Sequence, residues 1–104
     1  MRTKIFNKYV DNVCSIFSVD KKTLFTKNKS RAVVDARQLL YFLCHKRPMS
    51  LIYIQEYMKN NGYSVYKSTI HHGISIVTDK IKDEDRDYIS AVKEILDEAV
   101  GLVN

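Results

Sequence analysis

The chain has 104 residues, with 17 Lys and Arg against 12 Asp and Glu and a formal net charge of +5. That length fits one domain rather than two, and 45% hydrophobic residues is too many for a disordered tail. No apolar run approaches the ~18 residues that span a bilayer, so no membrane partner is expected. Residues Met1 to Lys8 lack the apolar stretch of a secretory signal, and a cytoplasmic protein is expected. Cys14 and Cys44 make no disulfide framework. Both are expected to stay reduced and to pack as small apolar side chains.

Apolar spacing predicts helices throughout. Ile5, Phe6, Tyr9, Val10, Val13, Ile16 and Phe17 recur at steps of three and four and mark an amphipathic helix over about 3–17. Asp20 is placed to cap a short turn carrying Leu24 and Phe25. Thr26-Lys27-Asn28-Lys29-Ser30-Arg31 has no apolar residue and reads as a basic loop. Val33 to Leu43 is apolar most of the way round, which predicts a central, buried helix ending near His45. Lys46-Arg47-Pro48 stops it, because Pro disfavours a helical residue before it. Ser50 reads as the N-cap of a helix over about 51–60, with Leu51, Ile54, Tyr57 and Met58 inward. Gly62 suits the left-handed stop after it. The next helix covers about 67–81, with Ile70, Ile74, Val77 and Ile81 inward. Asp83, Glu84 and Asp85 favour the start of a last helix over about 84–103. Its stripe is Tyr88, Ile89, Val92, Leu96, Ala99 and Val103. The expected fold is all-α, one domain of five to six helices over residues 1–104.

The charge is unevenly spread. Residues 1–50 hold 11 basic and three acidic side chains, residues 51–78 two and one, and residues 79–104 four and eight. The body up to residue 78 therefore carries +9 and the tail −4. A basic body suits a polyanion. Residues 50–81 have the layout of a helix-turn-helix: capped helix, glycine-containing turn, second helix. On the second helix Lys67, Ser68, His71, His72 and Ser75 lie outward or on the flanks, and no carboxylate joins them over the first two turns. Such groups hydrogen-bond base edges and tolerate phosphate. Gly73 lets a neighbouring helix approach closely.

Three stretches carry a family resemblance. Val10-Asp11-Asn12-Val13 through Leu24, Lys27 through the Ala36-Arg37-Gln38 helix, and Ser68-Thr69-Ile70-His71-His72-Gly73 occur in order, with Ser50-Leu51 four residues before Ile54. Over residues 9–82 the chain resembles the C-terminal DNA-binding domain of the bacterial replication initiator DnaA, a relative of the Trp repressor helix-turn-helix. The resemblance implies a partner of double-stranded DNA, a recognition helix in the major groove and a basic loop reaching minor groove and backbone. Carried over by position, Lys27, Lys29 and Arg31 become loop contacts, Arg37 a phosphate contact, and Ser68 and Thr69 base or phosphate contacts. His72 takes a structural or phosphate hydrogen bond. Read from charge alone, Arg37 has another role open to it, an ion pair with Asp35 or with an acidic residue of the last helix.

The chain departs from the family pattern where Tyr66-Lys67 replace an Asp-His pair and where the turn before Ser68 is about two residues longer. Lys67 favours guanine O6/N7 or a phosphate, so a different recognition sequence is expected. No Gly-rich Walker loop is present, so no ATP-driven engine is expected. The DNA-binding candidates are therefore Lys27, Lys29, Arg31, Arg37, Lys67, Ser68, Thr69, His71 and His72. Cys44-His45 and His71-His72 are adjacent pairs that point to different sides of a helix, so no metal site is expected. Neither cysteine has an oriented base beside it, and no catalytic residue, cofactor or small-molecule substrate is expected. DNA binding of this kind serves replication, transcription control or packaging equally. The alternative is a structural or protein-interaction module, viral for instance, that keeps the fold without reading DNA. The stripe ending in Leu102 and Val103 is a candidate for a protein partner or a homodimer.

Overall fold

Six helices are present in the computed structural model, which describes residues 2–83 and 85–103, with the side chains of residues 2, 87 and 98–103 outside the description. They are α1 (Arg2–Phe17), α2 (Lys21–Leu24), α3 (Arg31–Lys46), α4 (Leu51–Asn60), α5 (Lys67–Lys82) and α6 (Arg86–Val103). No strand occurs among the described residues. The short alternating run Gly73 to Val77 is helical, as the pattern around it predicts.

The centre is α3. Val33, Ala36, Leu39, Leu40, Tyr41, Phe42, Leu43 and Cys44 are all buried on it, which matches an apolar surface that runs most of the way round. It packs chiefly against α5 and α1. From α1 come Ile5, Phe6, Tyr9, Val10 and Val13, and from α5 Ile70, Ile74 and Val77. Each fully buried aliphatic or aromatic side chain contributes about 1.5–3 kcal/mol. Of the expected stripe on α1 only Ile16 falls outside the core, 43% exposed, while Phe17 in the same turn packs against it. On α4, Ile54 and Met58 are buried, and Tyr57 is half-buried with its ring 5.1 Å from that of Phe6. On α6 Val92 and Ile95 are buried while Tyr88 and Leu96 pack at the edge. The expected stripe members Ala99, Leu102 and Val103, and Glu84 at the expected helix start, lie outside the described side chains.

Helix ends follow local chemistry. The Ser50 hydroxyl accepts a hydrogen bond from the Tyr53 amide at 3.3 Å. Asp85 caps α6 through its carboxylate, which accepts from the Tyr88 amide at 3.1 Å. Asp20 sits at the N-cap of α2 without a side-chain cap bond. Gly62 has φ +98°, and the Gly62 and Tyr63 amides donate to the Lys59 and Met58 carbonyls at 2.9 and 3.0 Å. That is a left-handed stop of the Schellman kind. Ser18 makes the same stop after α1 at φ 53°, with the Val19 amide donating to the Cys14 carbonyl at 2.9 Å. A serine there carries a steric penalty that glycine would not.

Candidate nucleic-acid interface

The loop from Thr26 to Ser30 is tied down by its own polar side chains. Thr26 Oγ1 donates to the Thr23 carbonyl at 2.7 Å and accepts from the Asn28 amide at 3.2 Å. Asn28 Oδ1 accepts from the Ser30 amide at 2.8 Å. These are the local turns that Asn and Thr form in place of helix bonds.

Arg37 holds the same loop from inside the protein. It is only 4% exposed. Its Nε donates to the Leu24 carbonyl at 2.9 Å, Nη1 to the Asn28 carbonyl at 2.9 Å, and Nη2 to the Thr26 carbonyl. A planar guanidinium with donors in a fixed fork can serve several acceptors at once. Its carbon also lies 4.4 Å from the centroid of the Tyr63 ring, a cation–π contact. This corrects the expectation for Arg37. It is not a surface phosphate contact, and it does not pair with Asp35. Three carbonyl dipoles and an aromatic face replace its hydration, which is what a buried cation requires. Asp35 instead meets Arg31 Nε at 3.5 Å and Lys80 Nζ at 3.9 Å.

With the carbonyls of residues 24, 26 and 28 drawn inward, Lys27, Lys29 and Arg31 are left exposed. The Arg31 side chain is 89% exposed. An ion pair in that setting contributes no more than about 1 kcal/mol, so Arg31 can exchange Asp35 for another anion.

The second part of the site is the start of α5. Lys67, Ser68, Thr69, His71 and His72 are all exposed, while Ile70, Gly73 and Ile74 are buried between them. Gly73 sets how closely α5 sits on α3. A Cβ at that position would lie 3.0 Å from Tyr41 Cδ2 and 3.3 Å from Gln38 Cγ. The connection from α4 is pinned by Gln55 Nε2, which donates to the Val65 carbonyl at 2.8 Å, and by burial of Val65. A cleft of about 490 Å³ between α4 and this connection is lined by Gln55, Glu56, Lys59, Ser64, Val65 and Tyr66.

Tyr63 joins the two parts. It follows the Gly62 stop directly, and its ring lies on the guanidinium that holds the basic loop. The loop and the lead-in to α5 are thus linked through the Arg37–Tyr63 contact. Residue chemistry alone had singled out neither Tyr63 nor the exposed Tyr66. An aromatic residue directly after a helix-stop glycine is the one available signal for Tyr63.

Among the described residues no three His, Cys, Asp or Glu side chains come together in a way that could hold a metal ion. Cys44 is fully buried, and burial pushes its thiol well above the usual range. Cys14 is partly buried against the core, and its thiol is raised by burial and then by Asp11. Neither is a thiolate nucleophile near neutral pH. No described helix is long and apolar enough to cross a membrane. No family model, no curated protein and no solved structure matches the chain.

Proposed function

We propose that this chain is a double-stranded DNA-binding module of the helix-turn-helix kind, resembling the DNA-binding domain of the replication initiator. In this reading α4 and α5 form the motif. The start of α5 enters the major groove, and the loop at 27–31 meets the backbone or minor groove. The observation that carries the reading is the carboxylate-free exposed face of Lys67, Ser68, Thr69, His71 and His72 on a rigid helix. A cation-bearing loop tied to that helix's lead-in through Arg37 and Tyr63 supports it. Lys27, Lys29, Arg31 and Lys67 supply affinity by releasing counterions from phosphates, and the hydroxyls and imidazoles of α5 read base edges. The reading needs no cofactor and no catalytic step.

The test is a mobility shift on duplex DNA across a salt series. Four phosphate contacts give a log–log slope of roughly −3 to −4. A flat salt dependence would falsify the reading. The rival is a structural or protein-interaction module on the same helical scaffold, and it draws on the exposed Ile52 and Tyr66. A complex formed without DNA whose contact surface covers Lys67, Ser68 and His71 decides for that rival.

A further inference from the structure

The geometry points to Tyr66 as a base-reading residue. Its ring makes apolar contact with a thymine methyl group in the major groove, so the preferred DNA sites carry thymine at one defined position. This rests on the DNA-binding reading and deepens it.

Tyr66 is 79% exposed, against 55% for Ile52, 43% for Ile16 and 39% for Tyr53, the other exposed large apolar residues among those described. Its backbone, by contrast, is fixed. It is the N-cap of α5, and its carbonyl accepts from the Thr69 and Ile70 amides at 3.0 and 3.2 Å. The residue before it is buried and held by Gln55. Tyrosine is also a poor helix cap. It offers no short side-chain acceptor, and the helix start has no side-chain cap bond. Ser, Thr, Asp or Asn would serve the fold better there. A residue that breaks a local rule on a rigid frame, with its ring in solvent, marks a functional position.

The chemistry around the ring selects its ligand. Residues 66–72 include no carboxylate, and in the cleft that Tyr66 borders the Glu56 carboxylate is accompanied by the Lys59 cation. Tyr66 stands directly before Lys67, Ser68 and Thr69, all exposed, at the end of the helix that the DNA-binding reading puts in the groove. A tyrosine ring contributes large apolar area with little rotamer freedom to lose. The apolar feature of the major groove is the thymine C5-methyl group.

Binding sites should be selected from a random duplex pool with the native chain, Tyr66→Ala and Tyr66→Phe. The native chain and Tyr66→Phe should enrich thymine at one position, and Tyr66→Ala should lose that preference. On the best native site Tyr66→Ala should bind about fivefold more weakly or worse, with its thermal midpoint unchanged. Replacing that thymine with uracil removes only the methyl group. It should weaken the native chain by a similar factor and leave Tyr66→Ala unaffected. If Tyr66→Ala keeps both affinity and thymine preference while the native chain binds duplex DNA, the inference falls and the DNA-binding reading stands. If Tyr66→Phe also loses the preference, the ring contact is overturned. Absence of any salt-dependent duplex binding by the native chain overturns both.

Discussion

The loop at 26–30 and the first two turns of α5 present similar chemistry by opposite means. Both leave cations and small polar groups exposed. The loop has no regular structure, and its shape depends on turns among its own residues and on Arg37 reaching three of its carbonyls. The α5 face is carried by a helix whose buried side is fixed by Ile70, Ile74 and the close approach at Gly73. An irregular segment therefore gains its order from its own polar turns and from one charged side chain in the interior. The helical face gains it from apolar packing and a missing side chain. The loop is the more fragile of the two, because a single change at Arg37 removes its side-chain ties to the interior and leaves just its local turns.

The largest expected effect acts on both regions at once. Burial pushes the Tyr9 hydroxyl up to about 12, and Tyr41 and Cys44 are raised in the same direction for the same reason. A group whose folded pKa lies above its unfolded value keeps its proton longer when folded. Its stabilising contribution is complete below the unfolded pKa and is lost as pH rises. Stability should therefore hold to about pH 9 and fall steeply from there towards pH 12, following the unfolded values of Cys and Tyr. Urea midpoints measured from pH 7 to pH 11.5 check this, and a constant midpoint across that range would contradict the burial of these groups.

The next effect separates the two regions. Arg37→Ala should destabilise by about 3 kcal/mol or more, since three carbonyls lose their charged donor. Amide exchange should accelerate at residues 26–30 while the core of α5 stays protected relative to global unfolding. Arg37→Lys should recover only part of the loss, because one ammonium cannot reproduce the guanidinium fork. Equal acceleration in both regions would show that the loop and helix share one support.

Gly73→Val tests the helical side. The added side chain meets Tyr41 and Gln38 and should cost about 2 kcal/mol by overpacking, read as a lower thermal midpoint. The loop turns should remain, with residues 26–30 exchanging as in the native chain. The smallest effect on stability belongs to Lys29→Ala, within about 0.5 kcal/mol as for other surface positions. Under the DNA-binding reading this variant should lower the salt slope by about 1 without changing sequence preference. Altered preference with an unchanged slope would give the loop a reading role instead.

Much of the scaffold was legible because its signals are local. The Ser50 cap, the Gly62 stop and the inward steps Ile70, Ile74 and Val77 depend on neighbours in the chain and appear where the spacing places them. Asp85 takes the capping role within the acidic run that marks the start of α6. Ser18 was hidden because serine carries no signature for a left-handed conformation. Ile16 was misplaced because periodicity does not fix the width of the covered face, and Phe17 beside it takes the place against the core. The candidate site divides in the same way. Exposure of Lys67, Ser68, His71 and His72 follows from helical period, whereas the direction of Arg37 does not. Between Ala36 and Gln38, Arg37 carries no local sign of its direction until the carbonyls of Leu24, Thr26 and Asn28 are seen to converge on it.

The sequence by itself determined the helices, most of their ends, the buried stripe of α5 and the separation of a basic body from an acidic tail. Each follows from side-chain type and spacing along one segment. Only the tertiary structure decided that Arg37 is an internal clamp, that Tyr63 ties the loop to the lead-in of α5, and that Tyr66 is left in solvent. Those outcomes depend on which groups from distant segments meet once the core has formed. A buried guanidinium goes where carbonyls can replace its water, and no pattern within a single helix encodes that position.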